Sequence, residues 1–201
     1  MTKRLFDLGF SLFALLFFLP FGLIFAILIA TSSKGPIFYA SYRIGKGGHP
    51  IQCWKFRTMC SDAEEKLHVL LATNPKFKEE WNTFYKLKND PRILPIGKFL
   101  RKTSLDEIPQ FWNVFKGDLS VVGPRPVTAG EIEKYFGSKA EKILSVRPGL
   151  TGVWQTSGRS LLTFEERLKL EESYIDSQSL LFDLWIIIKT IPALFLAKGA
   201  F

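Results

Sequence analysis

Two adjacent acids, Asp106 and Glu107, sit in the run Ser104-Leu105-Asp106-Glu107-Ile108-Pro109-Gln110. The unpaired backbone N–H groups of a helix start favour an ionised carboxylate and also gather phosphate. An aspartate so placed can attack phosphorus as a nucleophile, or hold a divalent cation beside a phosphate. A plainer reading stands next to this one. Serine followed three residues later by glutamate is the capping-box pattern, with Ser104 and Glu107 as its partners. Asp106 is not needed for the box, so one turn can serve both purposes. Pro109 breaks the hydrogen-bond ladder just behind the pair, which is odd for a helix built only for stability.

The other candidates are basic, and glycine or proline accompanies them. Arg57 lies in Lys55-Phe56-Arg57-Thr58-Met59, and Arg92 and Arg101 flank Gly97. Arg125 stands between Pro124 and Pro126, Arg147 opens Arg147-Pro148-Gly149, and Arg159 closes Ser157-Gly158-Arg159. Proline fixes the backbone, and a guanidinium presents a planar fork to phosphate oxygens. Together these loops suggest a diphosphate site, although each arginine taken singly is more often a solvated surface residue. The formal net charge of +8 agrees, pointing to nucleic acid, an anionic membrane surface or phosphorylated ligands. No G-x-x-x-x-G-K-[ST] or G-x-G-x-x-G occurs, so neither a P-loop nor a Rossmann nucleotide fold is indicated. His49 and His68 stand outside any metal-ligand pattern, and Cys53 and Cys60 read as free thiols of a reducing compartment.

The elements that must position these groups begin with an apolar run over residues 8–30, long enough as a helix to cross a bilayer core of roughly 30 Å. Pro20 lies near its middle and tends to kink a helix. The segment either spans the membrane or bends at Pro20 and returns to the face it entered. Length alone favours spanning. Beyond Gly35-Pro36, short strands from residue 37 and over residues 51–56 flank the glycine-rich turn Gly45-Lys46-Gly47-Gly48 as a hairpin. Helices are expected over residues 61–71 and 76–88, the second with an aromatic stripe of Phe77, Trp81, Phe84 and Tyr85. Residues 180–197 are apolar but carry Asp183, Lys189 and Pro192, which suits an interfacial helix or a buried core helix equally.

Four stretches in this order resemble the bacterial sugar transferase family, the monotopic phosphoglycosyl transferases. They are Lys55 to Met59 and Ser104 to Gln110 as quoted, then Gly117-Asp118-Leu119-Ser120-Val121-Val122-Gly123-Pro124-Arg125-Pro126 and Arg147-Pro148-Gly149-Leu150-Thr151-Gly152. The resemblance implies that Asp106 attacks the phosphorus bonded to the sugar of a UDP-sugar. UMP leaves, and undecaprenyl phosphate then takes the phosphosugar. It implies Mg²⁺ held with Asp106 and Glu107, an important lysine at Lys55, and phosphate or substrate contacts at Arg57, Arg125, Arg147, Arg159 and Asp183. The implied fold is mostly α with a small β-hairpin. It is a monotopic membrane protein whose N-terminal re-entrant helix is broken at Pro20, with interfacial amphipathic helices. This replaces the spanning helix that length alone favours, although Leu19 stands where family members often have serine. Residues 1–34 then form the membrane helix, and residues 35–201 a cytoplasmic catalytic domain on the bacterial inner membrane. The insert between Lys55 and Asp106 resembles the subgroup that transfers galactose phosphate or glucose phosphate, of which this chain reads as the catalytic core alone. A homodimer is left open. The competing class is a non-enzymatic membrane-anchored binder of anionic lipid or nucleic acid. A nucleic-acid binder gathers its basic and aromatic residues on one face, whereas here the basic residues are spread among loops behind an apolar anchor.

Overall fold

The computed structural model describes residues 2–84, 87–158 and 162–196, and their side chains except at residues 84 and 193–196. Its first element, α1 (Thr2–Ser32), is a continuous helix that passes through Pro20. At 1.5 Å per residue it is about 45 Å long. Asp7, Ser11, Ala14, Phe25 and Ile29 are buried along it, with Phe18 and Gly22 half-buried between them. These positions recur every three or four residues, so one face lies against the rest of the chain along its whole length. The other face exposes Phe13, Leu16, Phe17, Leu19, Leu23 and Ile27. By length and composition α1 is long and apolar enough to cross a membrane.

Both ends of α1 are tied to the same globular unit. Lys3 pairs with Asp183 at 2.5 Å, and Asp7 accepts bonds from the Ser120 hydroxyl and the Val121 N–H, each at 3.0 Å. Arg4 donates to the carbonyls of Val114 and Phe115 at 2.6 and 2.7 Å. At the far end Arg57 donates to the carbonyls of Lys34 (2.5 Å) and Ser33 (2.8 Å), and Phe25 meets Phe56 edge-on.

The expected hairpin is present. β1 (Phe38–Ile44) and β2 (Pro50–Phe56) pair antiparallel from Phe38↔Phe56 to Ile44↔Pro50. The turn uses Gly47 and Gly48 at φ of 69° and 81°, a backbone that other residues adopt only with strain. The insert forms α2 (Ala63–Thr73) and α3 (Pro75–Phe84), close to the expected helices, although Tyr85 of the aromatic stripe lies outside the described residues. Arg92 anchors this insert. It ion-pairs with Asp90 at 2.6 Å and stacks over Trp81.

The acid pair lies between α4 (Pro95–Thr103) and α5 (Gln110–Lys116). The parallel strands β3 (Ser120–Val122) and β4 (Gly149–Thr151) bracket α6 (Ala129–Tyr135) and α7 (Ala140–Leu144). After them come α8 (Val153–Thr156), α9 (Phe164–Asp176) and α10 (Leu180–Leu196). The largest buried cluster joins Cys53, Val114, Leu119, Val122, Tyr174 and Ile186. The last helix is buried on one face only. Asp183 and Ile186 of α10 are buried, while Leu181, Trp185, Ile188 and Ile191 are exposed.

Candidate active site

The turn that carries the two acids is not the capping box expected from its sequence. Ser104 ends α4 in the left-handed conformation, at φ 57°, and its side chain caps nothing. Leu105–Glu107 then form a single 3-10 turn that leads into α5. A left-handed Ser104 cannot take the extended backbone that an N-cap needs. Capping boxes do occur in the chain, where Thr128 pairs with Glu131 and Thr163 with Glu166.

The reversal at Ser104 turns Asp106 inward, leaving it 8% exposed. Burial pushes its carboxyl up to about 6. Lys55 opposes that rise, Glu107 adds to it, and Arg101 opposes it in turn. Lys55, on β2, meets Glu107 at 2.5 Å. Arg101 is steadied by donating from Nε to the Thr58 hydroxyl at 2.8 Å. The result is a buried carboxylate with two cations near it, on a turn whose backbone is fixed at both ends.

Asn113 sets the register of this group, and the sequence reading missed it. The side chain is fully buried. Oδ1 accepts the Trp54 N–H at 3.0 Å, and Nδ2 donates to the Gln52 carbonyl at 2.6 Å and to Asp118 at 3.0 Å. One amide thus locks the edge of β2 to α5, and so places Lys55 opposite Glu107. The available signal was a lone amide inside the apolar run Phe111-Trp112-Asn113-Val114-Phe115. Gly97 fixes the neighbouring loop, since a Cβ there would collide with the Thr58 carbonyl oxygen.

The basic motifs do not all converge on the acids. The Pro-Arg-Pro and Arg-Pro-Gly loops are pressed together, and a Cβ on Gly149 would collide with the Gly123 nitrogen. Arg125 projects from this pair of loops with an exposed guanidinium over Trp154, 4.9 Å from the ring centre. Arg147 is exposed and donates to the Gly117 carbonyl at 2.7 Å. Arg57 is 6% exposed, and its fork closes the end of α1. Asp183 is fully buried between Lys3 and the Tyr174 hydroxyl, which meets its carboxylate at 2.7 Å. Arg159 lies outside the described residues. Pro20 sits within α1.

No cluster of three or more metal-ligating side chains occurs among the described residues. Two adjacent carboxylates still fit Mg²⁺, which is commonly held by one or two carboxylates plus substrate phosphates. The raised Asp106 fits as well, because a cation offsets the cost of burying that charge.

The bacterial sugar transferase family matches residues 1–197. The chain belongs to this family. The transferase is 45% identical over 201 residues to an exopolysaccharide production protein, ExoY, of Rhizobium meliloti (strain 1021), covering all of this chain and 88% of that one. It is 40% identical over 199 residues to an undecaprenyl-phosphate galactose phosphotransferase of Salmonella typhimurium, covering 99% of this chain and 41% of that one. It is 35% identical over 208 residues to a UDP-glucose:undecaprenyl-phosphate glucose-1-phosphate transferase of Escherichia coli (strain K12), covering all of this chain and 42% of that one. The transferase therefore spans most of the rhizobial relative and about two fifths of the larger two. The family resemblance carried by the four motifs is borne out.

Proposed function

We propose that the transferase moves a hexose-1-phosphate from a UDP-hexose to undecaprenyl phosphate through a covalent intermediate on Asp106. The observation that carries this is the buried Asp106 carboxylate on a fixed turn, with Lys55 and Glu107 paired beside it. In the first step a carboxylate oxygen of Asp106 attacks the phosphorus bonded to the sugar. The bond from that phosphorus to the bridging oxygen breaks, and UMP leaves with its electron pair. In the second step an oxygen of undecaprenyl phosphate attacks the same phosphorus. The acyl phosphate bond breaks, Asp106 is restored and the lipid carries a diphosphosugar. Lys55 holds Glu107 and keeps Asp106 more readily ionised than burial alone allows. Asp106 and Glu107 would hold Mg²⁺, which when bound neutralises phosphate charge. Arg125 and Arg147 offer guanidinium groups to phosphate oxygens, and we assign Arg159 to the same task.

The sugar is read as galactose first and glucose second, supported by the names of the relatives and by the insert that forms α2 and α3. Radiolabelled UDP-galactose or UDP-glucose, undecaprenyl phosphate and Mg²⁺ test the reaction. Wild type should form lipid-linked label and Asp106→Asn should not. No product with either sugar, or full activity in Asp106→Asn, overturns this reading.

For the membrane we propose a re-entrant α1, bent about Pro20, with both ends on the cytoplasmic face of the inner membrane. Residues 1–34 are its membrane segment, and the remainder is the catalytic domain. Support comes from the ties at both ends of α1. A straight spanning helix carries one end across the bilayer, away from the residues that Lys3, Asp7 and Arg57 bond. Single cysteines placed before Leu8 and after Ala30 should react with a cytoplasmic reagent only. Labelling from opposite sides refutes the re-entrant path.

A further inference from the structure

Beneath Arg125 lies a buried acid that the reaction does not use. Glu171, on α9, is 2% exposed, and its Oε1 accepts the backbone N–H of Arg125 at 3.1 Å. Prolines carry no N–H, so within Pro124-Arg125-Pro126 this amide is the single backbone donor. The bond to Glu171 therefore takes up all the backbone donating capacity of that tripeptide. On the other side the Gly149 N–H donates to the Pro124 carbonyl at 2.7 Å. The loop is thus held from α9 and from the start of β4 at once.

The side chain of Arg125 is held by a second device with the same root. Its guanidinium lies over Trp154, and the guanidinium of Arg167 lies 5.0 Å from the same ring centre. Arg167, one turn before Glu171 on α9, is 5% exposed. It reaches Glu171 at 3.8 Å and Glu131 at 3.6 Å. Trp154 is therefore a shelf, braced by Arg167, on which the exposed Arg125 rests.

As a stabilising device this cluster is poorly made. Glu171 Oε2 and Arg167 Nε are buried with no hydrogen-bond partner among the described residues. Burial pushes the Glu171 carboxyl up to about 7 against the opposing pull of the Arg125 amide and of Arg167. Apolar residues of similar volume commonly serve a core as well as an imperfect buried ion pair, or better. What an apolar residue cannot do is receive the Arg125 amide. We propose that Glu171, through the Arg125 amide, and Arg167, through Trp154, are positioning residues that aim the Arg125 guanidinium at the phosphates of a nucleoside diphosphate. The proposal rests on the phosphate role given to Arg125 above.

The test is UDP affinity, measured by titration calorimetry on the full chain in detergent for wild type, Arg125→Ala, Glu171→Ala, Glu171→Gln, Trp154→Leu and the double variant Arg125→Ala/Glu171→Ala. Arg125→Ala and Glu171→Ala should each weaken UDP binding by about tenfold, the size of one lost charge-assisted hydrogen bond. Glu171→Gln keeps an acceptor for the Arg125 amide and should bind UDP within about twofold of wild type. The double variant should bind no more weakly than Arg125→Ala alone, since a positioning residue has nothing left to position. Equal losses from Glu171→Ala with and without Arg125 mark a merely structural acid and overturn the proposal. So does wild-type affinity in Glu171→Ala or in Arg125→Ala. If Glu171→Ala does not fold, Trp154→Leu carries the same comparison, with a loss expected that vanishes in the Arg125→Ala background. UDP binding is read without turnover. A protein whose UDP affinity follows this pattern but which makes no lipid-linked product loses the transfer reading and keeps the positioning one.

Discussion

Replacing Asp106 with asparagine should abolish transfer and make the protein more stable at neutral pH. Burial raises the Asp106 carboxyl from 3.8 to about 6. Below 3.8 the folded and unfolded chains both hold the proton, and nothing is lost. Between 3.8 and 6 the unfolded chain releases its proton first, so stability falls as pH rises, and above 6 the loss is complete. A shift of about two pH units at about 1.4 kcal/mol each makes the ionised Asp106 a burden of about 3 kcal/mol. An asparagine side chain carries no such charge. For a chain of this size about 3 kcal/mol raises the melting temperature by at most about 6–12 °C. Differential scanning fluorimetry in detergent with EDTA, at pH 7.5 and pH 4.5, gives the measurement. At pH 4.5 the gain should shrink to about a third, because the folded carboxyl is then nearly all protonated and the unfolded one mostly ionised. Equal melting temperatures for the two proteins at pH 7.5, or a gain that ignores pH, refute the claim that Asp106 is held charged at a cost.

The same balance fixes the pH dependence of turnover, since the nucleophile must be ionised. The wild-type rate should rise with pH through about 6. In Lys55→Met that limb should move to higher pH and the maximal rate fall by about a hundredfold or more, because Lys55 opposes the raised carboxyl and pairs with Glu107. An acidic limb unmoved in Lys55→Met contradicts the coupling. Asp7→Ala strands the buried Val121 N–H and Ser120 hydroxyl, at about 2–4 kcal/mol for the charged acceptor lost, read as a fall in melting temperature. Gly97→Ala meets backbone at the Thr58 carbonyl oxygen, which cannot move aside cheaply, and should cost about 1–3 kcal/mol or more. Gly9→Ala, with nothing within 4 Å among the described residues, should raise the melting temperature by about 1–4 °C.

Much of the fold was readable because its signals are local. The hairpin shows in its strands and glycine turn, and α1 in its apolar length. Cys53 and Cys60 are both free thiols, as expected, and burial pushes Cys53 up to about 11, far from reactive. The structure brings Lys55, Asp106 and Glu107 together, but the sequence does not announce that geometry. Lys55 and Glu107 are 52 positions apart, and no periodicity announces that they touch. The Ser104 turn misled because a capping box is a statement about backbone conformation as much as residue type, and the sequence does not print φ. The arginines show the same limit. Arg57 and Arg125 both sit in motif-like loops, yet one spends its fork on the carbonyls just past α1 and the other reaches solvent. A guanidinium binds whatever oxygens the fold brings near it, and chain carbonyls compete with phosphate on equal chemical terms.

The charges at the edges of the two apolar helices show what those helices are for. Asp183 in a mostly apolar helix, and Lys3, Arg4 and Asp7 ahead of an apolar run, are expensive if each is judged alone in a membrane. In the folded chain they answer one another. Lys3 takes Asp183, Asp183 takes the Tyr174 hydroxyl, and Asp7 takes two donors of β3. The Tyr174 hydroxyl also lies 3.1 Å from the Val122 carbonyl, one residue before Gly123 and the Pro-Arg-Pro loop. The first turns of α1 are thus part of the frame that holds β3, and β3 delivers Arg125. On the membrane reading proposed above, a helix built this way is not an interchangeable anchor. Its apolar outer face suits lipid, while its polar inner contacts specify one docking register against the domain. Exchanging α1 for another apolar helix of equal length would keep the first property and lose the second, so the frame around the Pro-Arg-Pro loop would loosen even if the protein still reached the membrane.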